Sequence, residues 1–186
     1  MCLEQSLVNH CSPTLAGIKV ASLYRFLMED RQEFARDYKR LRRKLSRQGL
    51  ELVILKGCRD SGSFLLYVYR PAELERLLAE PETAAYLTEQ GYDLTRGLRG
   101  TLCQLVARVC FQETFPHEIG LFLGYPLEDV RGFVEHEGRD YTYRGLWKVY
   151  GDPAAAQRRF SSYRSCTEDY RRRYAAGTPI SKLIVA

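Results

Sequence analysis

The segment from Leu50 to Pro71 narrows the fold more than any other. "LELVILKG" and "SFLLYVYRP" are two apolar runs rich in β-branched and aromatic residues, and "CRDSG" between them supplies turn residues. The pair reads as a β-hairpin. Helical patterns flank it. From about Glu29 to Gln48, Phe34, Tyr38, Leu41 and Leu45 share one helical face, and Gly49 ends the segment. Pro71 opens "PAELERLLAE", with proline at the first position and glutamates in the first turns, and "PETAAYLTEQGY" repeats that start signal up to Gly91. Leu94 to Cys110 reads as a further helix, weakened by Gly97 and Gly100. Residues 153–175 read as a long one, with Ala156, Phe160, Tyr163 and Tyr170 as packing positions.

The remaining segments are less regular. Residues 2–9 suit a short helix, which Pro13 and Gly17 then interrupt, and Ile18, Val20 and Leu23 suit a strand. "YRGLWKVYGD" and "KLIVA" also read as strands. Strands and helices do not alternate, so a doubly wound parallel sheet is not expected. The expectation is an α+β fold: a small mixed or antiparallel sheet with a β-hairpin, covered by several helices, in a single domain over 1–186. A chain of 186 residues buries roughly 70% of its unfolded surface and needs no disulfide to fold.

Several functional classes lose support here. No apolar run approaches the ~20 residues of a membrane span, and "MCLEQSLVNHCSPTLAG" lacks the apolar core of a secretory signal. A cytoplasmic location is expected, with no membrane partner. The six cysteines form no CxxC pair, so reduced thiols are expected rather than disulfides or a local zinc site. Neither a P-loop nor GxGxxG is present, so nucleotide binding has no motif behind it.

Most of the net charge of +5 has one source: "RDYKRLRRKLSRQ" sets seven basic residues against Asp37. Its Lys39, Arg40, Arg43 and Arg47 suit contact with nucleic-acid phosphates. The segment is also explained as the solvated face of an amphipathic helix. "FPHEIGLFLGYPLEDVRGFVEHEG" resembles a helix-turn-helix corner over 116–137, with Gly124 at the turn. Its second helix carries Glu128, Asp129, Glu135 and Glu137 against Arg131 alone, which suits phosphates poorly, and it offers no Asn or Gln to adenine. Otherwise the segment is a packed corner, or a site in which His117 acts as base or metal ligand beside Glu118. Adjacent residues on a helix point apart, so His117 and Glu118 do not form a direct pair.

His10–Cys11 is the most suggestive local pair. A neighbouring cation converts a thiol into a thiolate nucleophile or metal ligand. Cys11 and His117 are therefore the candidate catalytic residues, and His10, Cys11, His117 and Cys166 the candidate ligands of an unidentified metal. His10, Lys19, Glu118, Arg70 and Lys148 are candidate ligand-binding residues. Free cysteines are often small buried hydrophobes, and "YVYRP" and the Trp147–Tyr150 segment equally suit the cover of a sheet edge.

The blocks "HCSPTLAGIK", "YVYRP", "FPHEIGLFLGYPLEDVRGF" and "GLWKVYGDPAAAQRRFSSYRSCT" resemble those of an uncharacterised bacterial family of unknown function, found mainly in anaerobic Firmicutes. The resemblance covers nearly the whole chain. It implies a bacterial, cytosolic protein and no particular activity. His10, Cys11, Lys19, His117, Glu118, Trp147, Lys148 and Cys166 stand at matching positions of these blocks, and the resemblance gives none of them a role. The leading expectation is a thiol and imidazole site for a small ligand or metal, with catalysis by Cys11 and His117 as its chemistry if it is an enzyme. The alternatives are a nucleic-acid-binding module built on the basic helix and the helical corner, and a protein-interaction module.

Overall fold

The computed structural model describes residues 2–58 and 61–185. The chain forms two compact units. Unit 1 comprises Met1–Glu73 with Ser165–Ala186, and unit 2 comprises Leu74–Arg164.

In unit 1, α1 (Leu3–Leu15) leads into β1 (Ala21–Leu27), α2 (Arg31–Ser46), β2 (Glu51–Cys58) and β3 (Ser63–Tyr69). The strands form an antiparallel sheet in the order β1-β3-β2, so the expected hairpin β2–β3 is present and β1 joins its other edge. Two of the hairpin's turn residues, 59 and 60, lie outside the described residues. Ser22, Tyr24 and Phe26 face the same side as Phe64, Leu66, Val68 and Leu52. There they meet Leu7, Cys11 and Leu15 of α1 and Phe34, Leu41 and Leu45 of α2 in one apolar core. Asp30 caps α2 by accepting the Glu33 N–H at 2.7 Å. The apolar stripe of α2 is the one its spacing predicts.

Helix α1 is longer than the sequence reading allowed, because Pro13 sits inside it instead of breaking it. Proline removes the N–H that would bond four residues back. The carbonyl of Asn9 instead accepts from Arg171 Nη2 at 3.3 Å. Gly17 then turns the chain with φ +76°, a backbone that glycine adopts without strain. The carbonyl of Pro13 accepts from both Ile18 and Lys19 N–H, at 3.0 and 3.1 Å. Residues 18–20 are therefore a fold-back after the helix, and the strand starts only at Ala21.

Unit 2 contains most of α3 (Pro71–Leu78), then α4 (Pro81–Glu89), α5 (Gly97–Phe111), the one-turn α6 (Ile119–Phe122), α7 (Leu127–Glu135), β4 (Tyr143–Arg144) and β5 (Lys148–Val149). Helix α8 (Pro153–Ala175) begins in unit 2 and ends in unit 1. The single strand expected at "YRGLWKVYGD" is a tight two-residue antiparallel ladder, β4–β5. The described part of "KLIVA", residues 182–185, adds no strand. A 3₁₀ turn at Ile180–Lys182 packs Ile180, Leu183 and Ile184 into the core of unit 1. No helix among the described residues is long and apolar enough to cross a membrane.

Candidate functional site

The residues of "HCSPTLAGIK" gather around the C-terminal half of α1. Cys11 is fully buried, and burial pushes its thiol up to about 12, against the opposing pull of Lys19 and a hydrogen bond from Ser22. A thiol in that state is neutral at physiological pH, which disfavours a thiolate nucleophile. The Ser22 hydroxyl also lies 2.8 Å from that of Thr14, and both are buried. Cys11, Ser22 and Thr14 thus form a polar row inside the α1–β1 contact.

Lys19 stands at the end of this row, folded back by the two N–H bonds to Pro13. Its side chain is half-buried. Burial lowers its amine to about 8, with Cys11 acting in the opposite direction. Desolvation penalises the charged form of a lysine, so an appreciable fraction of Lys19 is neutral amine near neutral pH. The group in this cluster with its reactive form in reach is therefore Lys19 rather than Cys11. The His10 ring stacks on Tyr24 at 4.9 Å. Burial, and then the charge of Arg171, lower its pKa, which favours the neutral imidazole.

Arg70 has a different place from the one expected. Its Nε donates to the carbonyl of Thr14 at 2.8 Å, and its Nη2 donates to those of Leu15 at 2.9 Å and Val185 at 2.5 Å. A buried guanidinium here satisfies carbonyls that the end of α1 leaves open, and its charge suits a helix C-terminus. Arg70 positions the Lys19 turn and is committed to the backbone. Cys166 is half-buried against the unit 1 core, with its thiol raised by burial and then by Asp169.

Unit 2 carries the other candidates. His117 is exposed and lies against Phe133 at 4.8 Å. Lys148 Nζ donates to Gly138 O at 2.5 Å and lies 5.6 Å from the same Phe133 ring. The structure thus brings His117 and Lys148 to one aromatic side chain. Glu118 points the other way, into the interior. It accepts from Tyr92 Oη at 3.0 Å and from Arg108 Nη1 at 3.2 Å, so it ties the corner to α5. Asp129, which reads as one of several acids on a DNA-facing helix, is 3% exposed. It accepts from Trp147 Nε1 at 2.7 Å and from the N–H groups of Tyr150 and Gly151 at 2.7 and 2.9 Å. The corner itself is real: Gly124 turns with φ +76° and Tyr125 N–H closes onto Gly120 O at 2.9 Å.

Among the described residues, no three His, Cys, Asp or Glu side chains are grouped so as to hold a metal ion. Cys11 belongs to unit 1 and His117 to unit 2. Sequence reasoning missed Thr14, Ser22, Tyr24 and Arg108. Only the chain order of "HCSPTLAGIK" hinted at Thr14, and no periodicity joins position 14 to 22 or 11 to 19.

A family model described as protein of unknown function (DUF3793) matches residues 7–184. The chain belongs to that family. No curated protein and no solved structure significantly matches it. The DUF3793 match takes in both the Lys19 cluster and the Glu118–Asp129 corner.

The basic helix presents its charges outward. Lys39, Arg40, Arg43 and Arg47 are exposed. Arg40 is drawn into ion pairs with Asp37 at 3.3 Å and Glu4 at 3.7 Å, and Lys44 reaches Glu4 at 3.8 Å. Arg43 Nε donates to Lys39 O at 3.4 Å.

Proposed function

We propose that unit 1 holds a small-ligand site in which the Lys19 amine is the reacting group and a carbonyl compound is the ligand. The observation that supports this reading most is the half-buried amine, lowered to about 8, folded against Cys11 at the end of a buried hydroxyl row. A neutral amine adds to a carbonyl carbon. The carbinolamine then loses water, and an imine remains. The neutral Cys11 thiol and the Ser22 and Thr14 hydroxyls fix the floor of the site. We infer a cytosolic setting, in keeping with six cysteines that form no disulfide.

Trapping with glyoxylate and cyanoborohydride, followed by peptide mapping, tests this reading. Lys39, Lys44, Lys56, Lys148 and Lys182 serve as internal controls. At neutral pH the adduct is expected on Lys19 in clear excess over each control. Cys11→Ser keeps the adduct and Lys19→Arg loses it. Labelling spread evenly over the lysines, or sparing Lys19, contradicts the proposal.

A further inference from the structure

Beyond the Lys19 cluster, unit 1 carries a second feature with its own chemistry. A groove of about 540 Å³ runs between α2 and the start of β2, lined by Tyr38, Lys39, Arg42, Arg43, Ser46 and Glu51. That volume falls in the range of ligand-binding clefts. We propose that this groove binds single-stranded nucleic acid, with phosphates on Lys39, Arg42, Arg43 and Arg47 and a base against the ring of Tyr38.

Three observations carry the inference. The first is charge. Acidic neighbours draw Arg40 and Lys44 away, and the groove side keeps Lys39, Arg42 and Arg43, with Arg47 one turn beyond. The second is spacing. Lys39, Arg43 and Arg47 recur every four residues, and a rise of 1.5 Å per residue sets them about 6 Å apart. Successive phosphates along one strand have a comparable separation, so one strand follows the helix. The third is Tyr38. Its hydroxyl donates to Leu52 O at 3.1 Å, and its ring stacks on Phe34 at 5.8 Å, which stacks on Phe64 at 4.5 Å. The ring is fixed before any ligand arrives, and a base stacks on it at little entropic cost.

The opposite wall gives the groove a direction. Glu51 accepts from Ser46 Oγ at 2.8 Å. Its carboxylate repels phosphates and accepts from base amino groups. The backbone therefore lies on the α2 side and the base on the β2 side. A duplex, whose bases are already stacked and paired, cannot use Tyr38.

The test is fluorescence anisotropy of the full chain with a short labelled single-stranded DNA of mixed sequence, and with the corresponding duplex, at low salt. Single strand is expected to bind more tightly than duplex. Lys39→Glu with Arg43→Glu is expected to weaken it more than tenfold. Tyr38→Leu is expected to weaken single-strand binding about tenfold and to leave duplex binding unchanged. Tyr38→Phe keeps the ring and is expected to bind like the parent. It separates stacking from loss of the Leu52 hydrogen bond, and thermal melting of each variant checks that it folds. Absence of single-strand binding by the parent overturns the proposal. So does equal affinity for duplex with no loss in Tyr38→Leu, which is the signature of a polyanion surface only. Neither result touches the Lys19 reading, which is tested with a different probe at different residues.

Discussion

At the scale of single residues, Lys19 and Cys11 impose opposite pH dependences on the fold. Lys19 has its folded pKa lowered from 10.5 to about 8. Its contribution is complete above 10.5 and is lost as pH falls through about 8, because the unfolded chain holds the proton longer. Cys11 has its folded pKa raised from 9.0 to about 12. Its contribution is complete below 9 and is lost as pH rises towards 12. Stability should therefore rise between pH 8 and 9, level off where the two oppose, and fall above 10.5. Lys19→Met removes the first limb. Urea unfolding across this range should show no rise between pH 8 and 9 in that variant, and higher stability than the parent at pH 7. An unchanged rise in Lys19→Met would assign it to another group.

At the scale of elements, the C-terminus of α1 is built by Arg70, and the prediction there is one of geometry rather than charge. Arg70→Lys keeps the positive charge but loses the planar fork that reaches the carbonyls of Thr14, Leu15 and Val185. Losing these charge-assisted hydrogen bonds, while Thr14 and Leu15 O keep the N–H groups of Gly17 and Val185, should cost about 2 kcal/mol, readable as a lower urea midpoint with an unchanged slope. A loss below about 1 kcal/mol would mean that a lysine ammonium or water serves these carbonyls as well. Elements with strong local signals were legible from residue order: the hairpin β2–β3, the amphipathic α2, and α8 with its start at Pro153. Others depended on distant partners. Pro13 sits inside α1, where the Asn9 carbonyl it leaves open accepts from Arg171, and no local rule includes a residue so far along the chain. "KLIVA" has the apolar density of a strand, yet it fills the core from a 3₁₀ turn, because burial alone does not distinguish the two. "YRGLWKVYGD" splits into two short strands around Gly145, whose added Cβ would collide with Phe160. Single-sequence patterning cannot see that close approach.

At the scale of the whole molecule, unit 1 carries a net charge of +7 and unit 2 one of −2, which together make the +5 of the chain. The chain thus separates into a basic unit carrying the Lys19 cluster and the α2 groove, and an acidic unit whose carboxylates at 118 and 129 are spent on its own packing. The proposed site lies in the block "HCSPTLAGIK" that the sequence singled out, and it rests on Lys19, where the sequence reading favoured Cys11. Cys11 is the more reactive residue type in isolation, and only burial, which residue order does not encode, reverses its rank with Lys19. The proposed Lys19 site rests on that reversal. Competitive acetylation of the intact chain as a function of pH, with each lysine quantified by mass spectrometry, measures it most directly. Lys19 is expected to gain reactivity with a midpoint near pH 8, well below the ordinary lysine value near 10.4. A Lys19 midpoint at that ordinary value would overturn the Lys19 site.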